Sequence, residues 1–255
     1  MAVSIKSERE IERMRQSNHL LAGVYQELKK ILRPGISTWE IDHEGERLIR
    51  ECGGVPNFLH YEGYPASVCV SVNDEVVHGI PKKEHILKDG DIVSLDMGLI
   101  YEGYHSDAAR TFGVGKISEE AQKLIDVTRQ SFFEGIKYAK AGHHLHEISG
   151  AIGDYAESFG YGVVRDLVVH GIGTKMHEDP QIPNFRCKSR GILLRPGMTL
   201  AIEPMINIGT PDVEWMDDDW TVVTADGSLS AHYENTILIT EGEPEILTMV
   251  DGKPE

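Results

Sequence analysis

The sequence predicts a mixed α/β (α+β) fold made of two similar halves, with acidic side chains from antiparallel strands gathered where the halves meet. Three observations carry this. Residues 87–96 (LKDGDIVSLD) and 194–203 (LRPGMTLAIE) each read as a glycine turn followed by a hydrophobic strand that ends on an acid. Adding 107 to Gly35, Glu40, Ile41, Gly53, Leu87, Gly90 and Asp96 lands on Gly142, Glu147, Ile148, Gly160, Leu194, Gly197 and Glu203, the mark of an internal repeat. Finally, Asp96, Asp107, Glu203 and Glu234 all fall on predicted strands rather than in solvated loops. A buried carboxylate is costly there unless something pairs with it.

Residues 7–32 carry Ile11, Met14, Leu21, Val24, Leu28 and Ile31 at helical spacing, and Pro34-Gly35 ends that helix. Ser37-Thr38-Trp39-Glu40 reads as a capping box opening a second helix, which Gly53-Gly54 closes. Alternation at Val68, Val70 and Val72 predicts a strand leading to Asn73-Asp74-Glu75. His78-Gly79-Ile80-Pro81 precedes the first strand with an acid, and a strand from Tyr104 to Phe112 completes a hairpin carrying Asp107. The second half repeats helix, helix, strand with acid, strand with acid. It contains a predicted strand over residues 161–169 and a longer hairpin that includes Trp215 and Trp220. The repeats run roughly over 7–112 and 118–240, within one domain spanning 1–255.

A chain of 255 residues, 40% apolar and 26% charged, can bury a large core. Its net charge of −16, from 25 basic and 41 acidic residues, argues against nucleic acid as a main partner, because phosphates call for a basic surface. Three cysteines, odd in number, widely spaced and without a CxxC pair, fit a reduced cytoplasmic compartment better than a disulfide framework. The first residues lead straight into a charged helical pattern rather than a targeting peptide, and no apolar run reaches membrane-spanning length. With no coiled-coil seam or long apolar stripe, a monomer is the default expectation. The HExxH helix, the GxxxxGK[ST] loop and the GxSxG elbow are absent.

Four carboxylates brought together repel one another and need positive charge, yet Arg110 is the one cationic residue in the strands beside them. The simplest compensation is a pair of divalent cations bridged by carboxylates and clamping a nucleophilic water. His170 ends an apolar stretch beside glycines, and His177 follows on the same loop. A site of mostly carboxylate oxygens with one imidazole suits manganese, iron or cobalt.

The chain resembles the type I methionine aminopeptidases of the bacterial type, without an N-terminal extension, over about residues 7–245. The resemblance rests on Ser71-Val72-Asn73, Val76-Val77-His78-Gly79-Ile80-Pro81, Ser94-Leu95-Asp96, His105-Ser106-Asp107 and His170-Gly171-Ile172-Gly173. It continues through His177-Glu178-Asp179-Pro180, Ile202-Glu203-Pro204-Met205, Trp220-Thr221-Val222-Val223-Thr224 and residues 230–236. It implies the pita-bread fold, with two pseudo-symmetric halves and a dinuclear metal site between them. The implied ligands are Asp96, Asp107, His170, Glu203 and Glu234, with Asp107 and Glu234 bridging. The implied metals are cobalt, manganese or iron, with zinc or nickel as alternates. By the same resemblance, a water held between the metals attacks the carbonyl of an N-terminal methionine, Glu203 shuttles the proton, and His78 and His177 bind the scissile amide. Phe58, Tyr61, Tyr64, Cys69, Met176 and Trp220 match the methionine pocket, and a small second residue is preferred. The implied partners are the N termini of nascent polypeptides, with transient ribosome contact, and neither DNA nor membrane.

Val77, Met176 and Phe58 depart from residues common in the family, which bears on pocket shape rather than on the reaction. The 26 residues from His177 to Glu203 leave no room for the helical insertion of type II relatives. Two alternatives stand beside this reading: an Xaa-Pro aminopeptidase or dipeptidase on the same fold, and an inactive pita-bread module that binds peptides.

Overall fold

The computed structural model describes residues 3–249. Helix α1 (Glu8–Leu28) starts where the Ser7 backbone N–H donates to the Glu10 carboxylate at 2.8 Å. Helix α2 (Thr38–Glu51) starts on the expected reciprocal box, with Glu40 N–H donating to Ser37 Oγ at 3.2 Å and Ser37 N–H donating back to Glu40 at 2.9 Å. The second half supplies α3 (Glu119–Ile136) and α4 (Leu145–Glu157), the latter with its own box between His144 and Glu147.

The two halves match in backbone detail. The isolated bridge Ser37–Ile86 recurs as His144–Leu193. Gly35 N–H donates to Leu87 O at 2.8 Å, and Gly142 N–H donates to Leu194 O at 3.1 Å. Gly90 and Gly197 both turn the chain in the left-handed region, at φ 97° and 84°, just before their strands. Each pair is separated by 107 residues.

Among the described residues all strand pairs are antiparallel. The main sheet has nine strands, seven of them in one path: Val55–Pro56, Ile92–Tyr101, Tyr104–Gly113, Glu234–Leu238, Thr199–Ile202, Val169–Gly171 and Glu178–Ile182. The halves join where Glu234 and Asn235 pair with Ala109 and Ala108. Alternation divides the sheet into two chemically different faces. Val93, Leu95, Met97, Leu99 and Ala108 point toward Leu21, Val24, Leu28, Ile41 and Ile49 of α1 and α2. Leu200, Ile202 and Ile237 pack likewise on Phe132, Ile148 and Ile152 of α3 and α4. The helices therefore cover one face, and the intervening positions Asp96, Asp107, Ala109, Ala201 and Glu234 belong to the other. Among the described residues no helix is long and apolar enough to cross a membrane.

Three expectations need correction. The strand predicted over 161–169 is two short strands, Gly162–Val163 and Val169–Gly171. The first pairs with Met205–Asn207 in a small sheet and the second with Thr199–Ile202 in the main one, so the chain changes sheets across the polar pair Arg165-Asp166. The first acid-bearing strand does not end on its acid; it continues past Asp96 to Tyr101, because Leu99 and its neighbours also bury apolar surface. Glu203 lies one residue beyond Thr199–Ile202, where Pro204 removes the ladder donor and the chain passes into Met205–Asn207.

Candidate active site

Strand register places the acids. Asp96 and Glu234 both lie opposite Ala109, one from each side, so a methyl group separates two carboxylates across three strands. Asp107 lies opposite Gly98, diagonal to Asp96 on the same face. On the next strands, Ala201 pairs with both Thr236 and His170. Small side chains at 98, 109 and 201 thus leave room between the acidic ones. The Nε2 of His170 lies 3.9 Å from both Asp107 Oδ2 and Glu203 Oε1. Ligand atoms of Asp107, His170 and Glu234 can all be chosen within 4.8 Å of one another.

The electrostatics are those of an uncompensated acidic cluster. Burial raises Asp96 to about 7 and Glu203 to about 8. Asp107 and Glu234 are pushed well above the usual carboxylate range, first by burial and then by the neighbouring acids. Arg110 only partly offsets this. Its guanidinium donates to Ala109 O, Glu234 O and Asn235 Oδ1, all neutral acceptors.

These residues fit divalent cations. Asp96 Oδ1, Asp107 Oδ1 and Glu234 Oε1 are buried without a hydrogen-bond partner, as acceptors awaiting a Lewis acid would be. His170 Nδ1 lies 2.9 Å from Gly171 O, which can only accept, so the proton sits on Nδ1 and the Nε2 lone pair faces the acids. Burial lowers His170 to about 3, which keeps that lone pair free.

His78 follows the strand Glu75–Val77 at φ 58°, a strained conformation for a non-glycine residue. Gly79 holds it there: Val70 N–H donates to Gly79 O at 2.9 Å, and a Cβ on Gly79 would lie 2.5 Å from Val70 O. Val77 pairs with Val222, so a strand of the second half helps to set His78, and its ring meets Trp220 edge to face. His177 packs edge to face on His170 at 4.3 Å, and its Nδ1 is 2.9 Å from Tyr61 Oη. Burial drives His78 down to about 4 and lowers His177 as well, so both are neutral near pH 7.

A cavity of about 280 Å³ opens onto the acids, and Phe58, Tyr61, Tyr64, Cys69, Met176 and Trp220 all line it. Every sequence-nominated site residue therefore converges on one place. Val77, expected to bear on pocket shape, lines the cavity, whereas sequence reasoning missed Leu167, Val168 and Met205, whose spacing marks them only as core. It missed Lys6, whose side chain is 3% exposed and pairs with Glu178, next to His177, at 2.5 Å. It also missed His232, 1% exposed, whose Nε2 lies 3.4 Å from Glu203 Oε2. The one signal available for His232 was its position two residues before Glu234, matching that of His105 before Asp107.

A buried acidic and imidazole cluster on a duplicated antiparallel scaffold defines a metallohydrolase. The chain belongs to metallopeptidase family M24, whose model matches residues 12–241. A methionine aminopeptidase of Clostridium acetobutylicum is 52% identical over 98% of this chain and 100% of its own length. The crystal structure of a methionine aminopeptidase from Thermotoga maritima superposes with a TM-score of 0.95 at 44% identity, covering 98% of this chain and 100% of that one. An Xaa-Pro dipeptidase from Bacillus anthracis is more distant, with a TM-score of 0.78 at 25% identity, covering 96% of this chain but 62% of that one. The fold is the pita-bread fold, with its acidic cluster between pseudo-symmetric halves.

Proposed function

We propose that this protein is a metal-dependent methionyl aminopeptidase that removes the N-terminal methionine of nascent proteins and peptides, with a preference for a small second residue. The observation that carries the reading is the convergence of five potential ligands, Asp96, Asp107, His170, Glu203 and Glu234, beside an apolar cavity of about 280 Å³. End-to-end likeness to methionine aminopeptidases supports the substrate.

Those five side chains would hold two divalent cations, cobalt, manganese or iron, with zinc or nickel as alternates. Four carboxylates balance such a pair in charge, and one imidazole suits these metals. The cations supply Lewis acidity toward the scissile carbonyl and make water nucleophilic at neutral pH. Glu203 takes a proton from the attacking water and delivers it to the departing amine. With Tyr61 donating to His177 Nδ1, the proton on Nε2 is available to the scissile amide. His78 lines the same cavity, and the two imidazoles stabilise charge developing on the substrate oxygen. Aromatic rings and the sulfurs of Cys69 and Met176 make a wall suited to an unbranched thioether. The same reading takes the chain as one catalytic domain, a cytoplasmic monomer that meets ribosomes transiently. The three unpaired cysteines fit that compartment.

The test is methionine release from Met-Ala-Ser by chelator-treated protein titrated with manganese, iron and cobalt. Metal-restored release that Asp96→Ala abolishes is the expected result. Release from Xaa-Pro peptides alone, or no release with any metal, would overturn the reading.

A further inference from the structure

The imidazole of His232 is deeply buried, meets Glu203 and has no role in the mechanism above. Glu203 sits where the chain leaves the main sheet for a small one, so no strand ladder holds its backbone. Its carbonyl is tied by Asn184 Nδ2 at 2.9 Å. Its carboxylate is divided between two directions: Oε1 lies 3.9 Å from His170 Nε2, and Oε2 lies 3.4 Å from His232 Nε2.

His232 is well placed to be the fixed partner. It pairs directly with Met205, two residues beyond Glu203, and its backbone N–H and carbonyl both engage Thr111 Oγ1 at 2.9 Å. Neither ring nitrogen has a hydrogen-bond partner among the described residues. A buried imidazole with both nitrogens unpaired is destabilising, which calls for a partner. At 3.4 Å the contact to Oε2 is slightly long, and such bonds tighten when the catalytic complex assembles.

We infer that His232 is a positioning residue for Glu203: its Nε2–H donates to Glu203 Oε2, which turns Oε1 toward His170 and the acidic cluster. The two oxygens then have separate tasks. Oε2 is anchored, and Oε1 alone faces the reacting groups. The inference rests on the proposed proton-shuttle role of Glu203 but concerns a contact that can be read without substrate.

The experiment pairs two variants with a spectroscopic measurement. His232→Leu is expected to lower kcat on Met-Ala-Ser by about 10–100-fold, as loss of an outer partner does, with KM and bound manganese unchanged. His232→Gln, which keeps a side-chain N–H donor, recovers most of that turnover. Nitrogen-15 imidazole spectra of the zinc-loaded protein should show His232 protonated at Nε2, with its signal displaced by Glu203→Gln. Full turnover in the leucine variant, equal damage in both variants, loss of manganese, or an Nδ1-protonated ring indifferent to Glu203→Gln would each overturn the inference. If the parent released no methionine, the proposed function would fall, and the imidazole spectra would still decide the contact.

Discussion

The acidic cluster should make the chelated protein lose stability as pH rises, against the usual behaviour of carboxylates. Glu203 holds its proton up to about pH 8 in the folded chain, whereas an unfolded glutamate releases it near pH ~4. The folded state therefore binds more protons between those values, and its advantage is full below the unfolded value and lost as pH climbs through the folded one. Four histidines act in the opposite sense. His78, His105 and His232 are lowered to about 4 and His170 to about 3, so they stabilise the fold as pH rises toward neutrality. That effect is mostly spent by about pH 7, where unfolded histidine is already largely neutral. Above it, Glu203 passes from mostly protonated to mostly ionised between about pH 7 and pH 9, a change of roughly one proton-pH unit, or about 1.4 kcal/mol. For a chain of this size that corresponds to a fall of about 3–6 °C in Tm. Asp107 and Glu234 add to it in the same direction. Calorimetric scans of chelated parent and Glu203→Gln at pH 7 and 9 isolate the Glu203 share, which the variant lacks. Saturating manganese should flatten the parent's slope, since cations replace the protons. A parent Tm that holds or rises from pH 7 to 9 under chelation would refute the argument.

Asp107→Asn removes a charge shared by the proposed cation pair, so bound manganese by elemental analysis and methionine release should fall together. His78→Ala should reduce turnover by about 10²–10³-fold, as for loss of one transition-state donor, with cation content intact. Loss of the cations in that variant would make His78 a ligand. Gly79→Ala forces a methyl group to 2.5 Å from Val70 O and 2.9 Å from Ser71 Cα, where backbone cannot yield cheaply. It should cost about 3 kcal/mol or more, read as the urea midpoint, and displace His78 as well.

The sequence made the duplicated fold legible because turns and caps are local. The left-handed turns at Gly35 and Gly90, the cap at Glu40 and their counterparts 107 residues on are set by the residues beside them, whatever longer bonds they also make. The acids were legible because a charge inside an apolar strand violates burial. What failed was what depends on partners distant in sequence. The segment 161–169 is uniform enough to suggest one strand, but its two ends join different sheets. Val168 and Met205 look like ordinary core until the cavity between the halves is seen. His232 and its counterpart His105 are indistinguishable as sequence, yet His105 faces Asn57 while His232 faces Glu203.

The five proposed ligands are spread along the chain from Asp96 to Glu234, and the last lies in a strand zipped between the two halves. During synthesis the ribosome must therefore deliver almost the whole polypeptide before any copy can work. A chain stopped at the end of the first repeat would carry two carboxylates and no counterpart to face them. Assembly of the cluster thus depends on both halves, because a chain that ends before Glu234 lacks one of the five proposed ligands and the strand that joins the repeats.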